Sequence, residues 1–433
     1  MAFRSKTAVA ALCVIASTGV AAAPVYIHAG RLLAVPGQAV RGASTIVVDA
    51  GRIVAVRNGH VAPAEPGASV VDLRDKFVLP GLIDSHVHLG SDRAGEEAIV
   101  AGVRDGPPLR ALEAQMNGMK TLLAGFTTVR NLGDGGSTLA LREAISRGWV
   151  QGPRIIDAGQ SISTTAGHMD GRGALNDEYT ARMPEPQNLC DGIESCRQVV
   201  RRQIGRNVDV IKIATTGGVN SGTGLTTRIV DAEAKALIDT AHAYGRKVAV
   251  HAHGAEGIKM ALRHGADSIE HGTVMDDEII RLMKQRGTYY VPTLSTVNGY
   301  LERLAANPNA YRPDVRKQID WRIGITGKSL AKAYPAGVKI AFGTDAGVSK
   351  HGRNADEFEL MVKYGMTPAA AITAATVNAA DLLGVSGETG TIEPGKSADV
   401  IAVTGDPLTD VTVLKRVAFV MARGEVVKSA FPR

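Results

Sequence analysis

Leu82-Ile83-Asp84-Ser85-His86-Val87-His88 is an apolar run that closes on two histidines spaced two apart. Alternate side chains of a β-strand share a face, so His86 and His88 project to the same side about 7 Å apart, close enough to share one metal ion. A bare His-x-His pair fits a structural pair, at the surface or in the core, as well as it fits a metal site. The rest of the chain decides between these readings, because Lys212, His251, His271 and Asp345 each sit in, at the end of, or just after another strand-like stretch.

Those stretches are apolar, β-branched and short: 82–88, 127–131, 154–158, 208–213, 247–251, 267–271, 288–292 and 338–342. Each is followed by a helix-like pattern, as in Asp231-Ala232-Glu233-Ala234-Lys235-Ala236-Leu237-Ile238, where Asp231 is the expected N-cap. Such alternation predicts an α/β fold, a (β/α)8 TIM barrel over 81–384. Two connections, 159–192 and 294–314, read as long loops of the kind that carry function. Period-two alternation returns in 24–80 and 385–433, which predicts a small β-sandwich domain built from both chain termini.

With 433 residues, 45% hydrophobic and 21% charged, the chain has the composition of a globular protein with a sizeable core. Its net charge of +6 is not gathered into a Lys/Arg block and only 4% of residues are aromatic, so no nucleic-acid partner is expected. Residues 1–23 read as a secretory signal peptide: Arg4 and Lys6 precede an apolar stretch, and Ala21-Ala22-Ala23 offers a cleavage site. The apolar stretch is shorter than the roughly 20 residues a membrane span needs. The expected location is therefore the periplasm or outside the cell. Removing the leader leaves Cys190 and Cys196, a candidate disulfide in an oxidising compartment, with two unpaired thiols as the alternative.

In a barrel of this class the C-terminal strand ends converge on one site. His86 and His88 close the first strand, His251 and His271 the fifth and sixth, and Asp345 follows the eighth. Lys212 interrupts the apolar Val208-Asp209-Val210-Ile211-Lys212-Ile213, where a lone ammonium is costly. It needs a carboxylate partner, a route to solvent, or conversion to a carbamate, an N6-carboxylated lysine able to bridge two metals. Burial favours the neutral amine that such a reaction requires. The Gly-rich Thr215-Thr216-Gly217-Gly218-Val219-Asn220-Ser221-Gly222-Thr223-Gly224 lacks the phosphate-cradle pattern and reads as a flexible loop over the metals.

Gly81-Leu82-Ile83-Asp84-Ser85-His86-Val87-His88, Asp209-Val210-Ile211-Lys212-Ile213, Val250-His251-Ala252-His253-Gly254, Ile269-Glu270-His271-Gly272, Gly343-Thr344-Asp345-Ala346 and the tail Gly390-Thr391-Ile392-Glu393-Pro394-Gly395 resemble a metal-dependent amidohydrolase of the amidohydrolase superfamily. The resemblance spans nearly the whole mature chain. It is strongest to the imidazolonepropionase-related branch with prolidases, Xaa-Arg/Lys carboxypeptidase-like dipeptidases and ochratoxinase. It implies two divalent metal ions, zinc the first choice, with His86, His88 and Asp345 on one, His251 and His271 on the other, and carboxylated Lys212 across both. It further implies that Asp345 moves the proton and that His168 and His253 contact substrate, although strand period also allows His253 as a seventh ligand; His351, in the loop after Asp345, is a further candidate substrate contact. Histidine replaces the tyrosine usual in prolidase-like relatives at 253, which weakens a proline preference.

The expected reaction is release of the C-terminal amino acid from dipeptides or N-acyl amino acids, including amides of the ochratoxin A type. A lactonase, a cyclic-amide hydrolase or deaminase, and a non-catalytic metal-binding protein are the alternatives. The expected partners are a small-molecule or dipeptide substrate and further copies of the chain.

Overall fold

The computed structural model describes residues 23–93, 95–173, 175–220 and 223–429, so the expected leader lies outside the described residues apart from Ala23. Near the N-terminus run β1 (Val25–Leu32), β2 (Ser44–Asp49), β3 (Arg52–Asn58) and β4 (Ser69–Pro80). The central strands are β5 (Leu82–Val87), β6 (Phe126–Asn131), β7 (Arg154–Asp157), β8 (Val210–Ala214), β9 (Lys247–Ala252), β10 (Ser268–His271) and β11 (Tyr289–Val291). Three more close the chain: β12 (Val400–Val403), β13 (Val417–Ala422) and β14 (Glu425–Ser429).

The central strands pair in parallel as β5-β6-β7 and β8-β9-β10-β11. An isolated parallel bridge, Ile162 to Ile213, links the segment after β7 to β8, and Asp209 N–H donates to Asp157 O. At the other end Tyr290 bridges Ile340, while Ser85 N–H donates to Phe342 O and Asp345 N–H to His86 O. The eighth expected strand, 338–342, is thus held by such contacts rather than by a regular ladder. Helices fill the intervals between strands. Asp231 falls at the first position inside its helix and Val230 is the N-cap, so Asp231 acts on the positive helix end rather than as the cap. The expected loop 294–314 is largely the helix Thr296–Ala306.

Strand parity explains what faces where. Ile211, Ile213, Val248 and Val250 join the large apolar cluster with helix residues such as Leu237, Ile258 and Ile279. The alternate residues Val210 and Ala249 face the opposite side with Leu132 and Ala158, and Lys212 and His251 share their parity. Burial on both faces accounts for the near-continuous apolar runs that made these strands legible.

Both chain ends enter one seven-stranded sheet of order β14-β13-β12-β4-β1-β2-β3, with β1 parallel to β4. The expected two-layer sandwich is met instead by a single curled sheet. Gly51 in the β2–β3 turn abuts Gly424 in the β13–β14 turn so closely that a Cβ on Gly424 would lie 2.4 Å from the Gly51 Cα. Five strand spacings, about 24 Å in a flat sheet, separate β13 from β3. Ile46 and Ile53 from one side of that curl share a core with Phe419 and Met421 from the other. Cys190 and Cys196 are bonded, with Cα atoms 4.9 Å apart. Among the described residues no helix is long and apolar enough to cross a membrane.

Candidate metal centre

His86, at the end of β5, is buried, and its Nε2 lies 3.4 Å from Asp345 Oδ1; His88 Nε2 lies 3.2 Å from the same oxygen. Ligand atoms of these three residues fall within 4.8 Å of one another, as do those of His251, His253 and His271. The His86 and His271 ring centroids, 5.1 Å apart, bring the two groups together. Both line a cavity of about 180 Å³ shared with Lys212, His168, Tyr300 and Arg322.

Parity alone would not place His271 there. Its register partner is Ala252, whose side chain packs in the outer apolar cluster, whereas Glu270 pairs with His251 on the inner face. His271 adopts φ 69°, and this left-handed turn swings the imidazole back inward. Asp345 (φ 58°) and Thr293 (φ 48°), whose Oγ1 lies 2.8 Å from His271 Nδ1, share that conformation. Each non-glycine residue held so costs about 1–3 kcal/mol, and such strain clusters at sites where geometry matters.

The hydrogen-bond partners fix which imidazole nitrogens are left free. His86 Nδ1–H donates to Glu270 Oε2 at 2.8 Å and His88 Nδ1–H to Gly133 O at 2.6 Å, leaving both Nε2 lone pairs directed at Asp345. His251 Nε2 faces Gly217 O at 3.2 Å, which leaves its Nδ1. Orientation of a ligating imidazole by its other nitrogen is the usual arrangement of a metal site. Burial, aided by Lys212, takes His86 down to about 4, and burial also holds His251, His253 and His271 well below the usual histidine range. Neutral imidazole is the form that binds a metal.

Lys212 Nζ is buried with no hydrogen-bond partner. Burial lowers it to about 8 while Glu270 and Asp345 pull the other way, a shift toward the neutral amine that carbamate formation requires. An orphaned amine between two imidazole-rich groups fits a bridging carbamate, and an all-nitrogen-and-oxygen donor set fits divalent zinc. Burial would raise the Asp345 carboxyl, but His86 and then His88 outweigh it and hold it at about 2.

His168 lines the cavity and stacks on His251 with centroids 4.1 Å apart. The Gly-rich loop is packed against this pair: a Cβ on Gly218 would lie 2.1 Å from the His168 ring, so position 218 admits no side chain while that ring stays in place. His253 also lines the cavity, with Nδ1 2.7 Å from Thr273 Oγ1. His351 does not reach the cavity. Its Nδ1 is taken by Asp92, and the pair ties the loop after β5 to the loop after Asp345.

Sequence reasoning missed Arg130, Glu270, Tyr300 and Arg322. Arg130 and Glu270 interrupt apolar strands just as Lys212 does, a signal open to the same reading. Arg130 Nη2 donates to Glu270 Oε1 at 2.7 Å, and its Nε donates to Ser85 O. Burial would raise Glu270, yet Arg130 and then His86 hold it at about 2. Glu270→Gln strands a buried guanidinium and is expected to cost about 3–5 kcal/mol in urea denaturation. It should also weaken any metal on His86 by about 10–100-fold.

The family profile described as Amidohydrolase family matches residues 77–427. Ochratoxinase of Aspergillus niger is 32% identical over 435 residues, covering 96% of this chain and 88% of that protein. An imidazolonepropionase of Symbiobacterium thermophilum is 26% identical, covering 87% and 90%. The crystal structure of a Xaa-Pro dipeptidase with bound methionine in the active site superposes with a TM-score of 0.88 at 39% identity, covering 94% of this chain and all of that one. The convergence of histidines, lysine and aspartate at the strand ends thus has its counterpart in kinship: this chain is a member of the amidohydrolase family, an amide-hydrolysing enzyme.

Proposed function

We propose that the protein is a binuclear metal-dependent hydrolase that releases the C-terminal amino acid from dipeptides or N-acyl amino acids, amides of the ochratoxin A type among them. The observation that carries this reading is the buried, unpartnered Lys212 amine at a cavity where His86, His88 and Asp345 meet His251 and His271. In this reading the two parallel sheets close into a (β/α)8 barrel over 81–384, and the single curled sheet drawn from 24–80 and 385–433 stands in place of the sandwich. The leader expected from the sequence and the Cys190–Cys196 bond support a secreted or periplasmic location.

His86, His88 and Asp345 would hold one divalent ion, His251 and His271 the second, and N6-carboxylated Lys212 would join the two. The chemistry such ions would supply is a water whose pKa is lowered from about 15.7 toward 7 and a polarised scissile carbonyl. Asp345, ionised across the working range, accepts the proton of the attacking water and hands it to the departing nitrogen. Burial, together with the field of Lys212, takes His168 down to about 4, so it stays neutral and able to donate or accept a hydrogen bond at the substrate carbonyl. His253 faces the same space and contacts the leaving amino acid. Fixing the carbonyl over the ligand cluster removes the orientational part of the barrier.

A screen of dipeptides and N-acyl amino acids, ochratoxin A included, on protein supplied with zinc and bicarbonate tests the reading. Free amino acid should appear, vanish after chelation and return with zinc. Hydrolysis confined to lactones or cyclic amides contradicts it.

A further inference from the structure

Arg322 lies in the helix Pro313–Ile325, is 3% exposed, and lines the cavity with His253 and Tyr300. Its guanidinium donates to neutral acceptors only: Nη1 to Thr326 Oγ1 at 2.9 Å and Nη2 to Thr293 O at a long 3.4 Å. Among the described residues it has no carboxylate partner. Arginine cannot shed its charge by losing a proton, and five N–H donors need acceptors. The contrast with Arg130 is instructive, because that equally buried guanidinium is neutralised by Glu270 at 2.7 Å. The fold balances a buried arginine where no ligand comes and leaves one unbalanced where the cavity opens.

We propose that Arg322 is the anchor for the free carboxylate of the leaving amino acid, and that it makes the enzyme selective for acids over the corresponding amides and esters. This inference rests on the proposed hydrolase reading. A planar guanidinium matches a carboxylate with two parallel hydrogen bonds, which fixes orientation as well as charge. Asp345 lines the same cavity but pairs with His86 and His88 rather than with Arg322, so a carboxylate partner for this guanidinium is left for the substrate to bring. A second cleft of about 370 Å³ shares His88 and Val348 with the cavity and adds Arg110, Glu113 and Asp134. The substrate is then oriented with its carboxylate at Arg322 and its scissile bond over Lys212 and Asp345.

Two readouts on the zinc-loaded full chain test this. The first is kcat/KM for an acid substrate and its C-terminal carboxamide in wild type, Arg322→Met and Arg322→Lys. The second is calorimetric binding of L-methionine against L-methioninamide. Wild type should favour the acid at least about 100-fold, Arg322→Met should reduce that preference to under about tenfold, and Arg322→Lys should fall between. Methionine binding should weaken at least tenfold in Arg322→Met, well beyond any change for the amide. Equal losses on acid and amide would mean a structural role and overturn the proposal, as would an unaltered preference or no methionine binding by wild type. Should no amide of any kind be hydrolysed while the methionine difference persists, the hydrolase reading fails and the anchor stands.

Discussion

Asp345→Asn is expected to lower kcat by about 10²–10⁴-fold, the range ascribed to a positioned proton-transfer group, with metal content maintained. Asparagine keeps the oxygen that meets His86 and His88 at 3.4 and 3.2 Å, but its amide cannot take a proton. The fall should appear in kcat more than in KM, because the carboxylate acts on the proton and the substrate is gripped elsewhere. Metal analysis beside steady-state kinetics checks this. A variant of near wild-type turnover removes Asp345 from the proton path, and a metal-free one makes it a ligand first.

Lys212→Met is expected to abolish turnover and to cut bound metal from two ions to one or none, since methionine fills the space but forms no carbamate. The same change should stabilise the metal-free protein. A folded-state pKa of about 8 against 10.5 unfolded means that the unfolded chain binds more protons between those values. The penalty, on the order of 3 kcal/mol at 1.36 kcal/mol per unit, is therefore present in full below pH 8 and relieved as pH rises to 10.5. Denaturation of metal-stripped wild type and Lys212→Met at pH 7 and pH 10 should show the variant ahead at the lower pH and the gap narrowing at the higher. A variant that keeps two ions contradicts the bridging role, and one less stable at pH 7 contradicts the burial penalty.

Much of this site could be read from the chain because buried parallel strands expose their identity as apolar runs, and a polar residue inside one stands out. That logic placed His86, Lys212 and His251. It placed His271 for an incomplete reason, since strict alternation sends that side chain outward and only its left-handed backbone returns it. Glu270 passed as a matched motif position although it holds both Arg130 and His86. Arg322 was out of reach, because a helix far along the sequence brings it to the cavity and nothing in the local pattern marks it. His351 carried the right residue type in the right loop, yet Asp92 claims its ring. Period-two alternation located strands at both ends of the chain but says nothing of which pair, so one curled sheet was indistinguishable from two layers.

The central claim is that Lys212, carboxylated, joins two cations held by His86, His88 and Asp345 on one side and His251 and His271 on the other. Anomalous diffraction at the zinc edge, on crystals of protein prepared with zinc and bicarbonate, tests it most directly. Two zinc peaks with continuous density extending beyond Lys212 Nζ between them are the predicted result. A single peak, or two peaks flanking a bare amine, would contradict it.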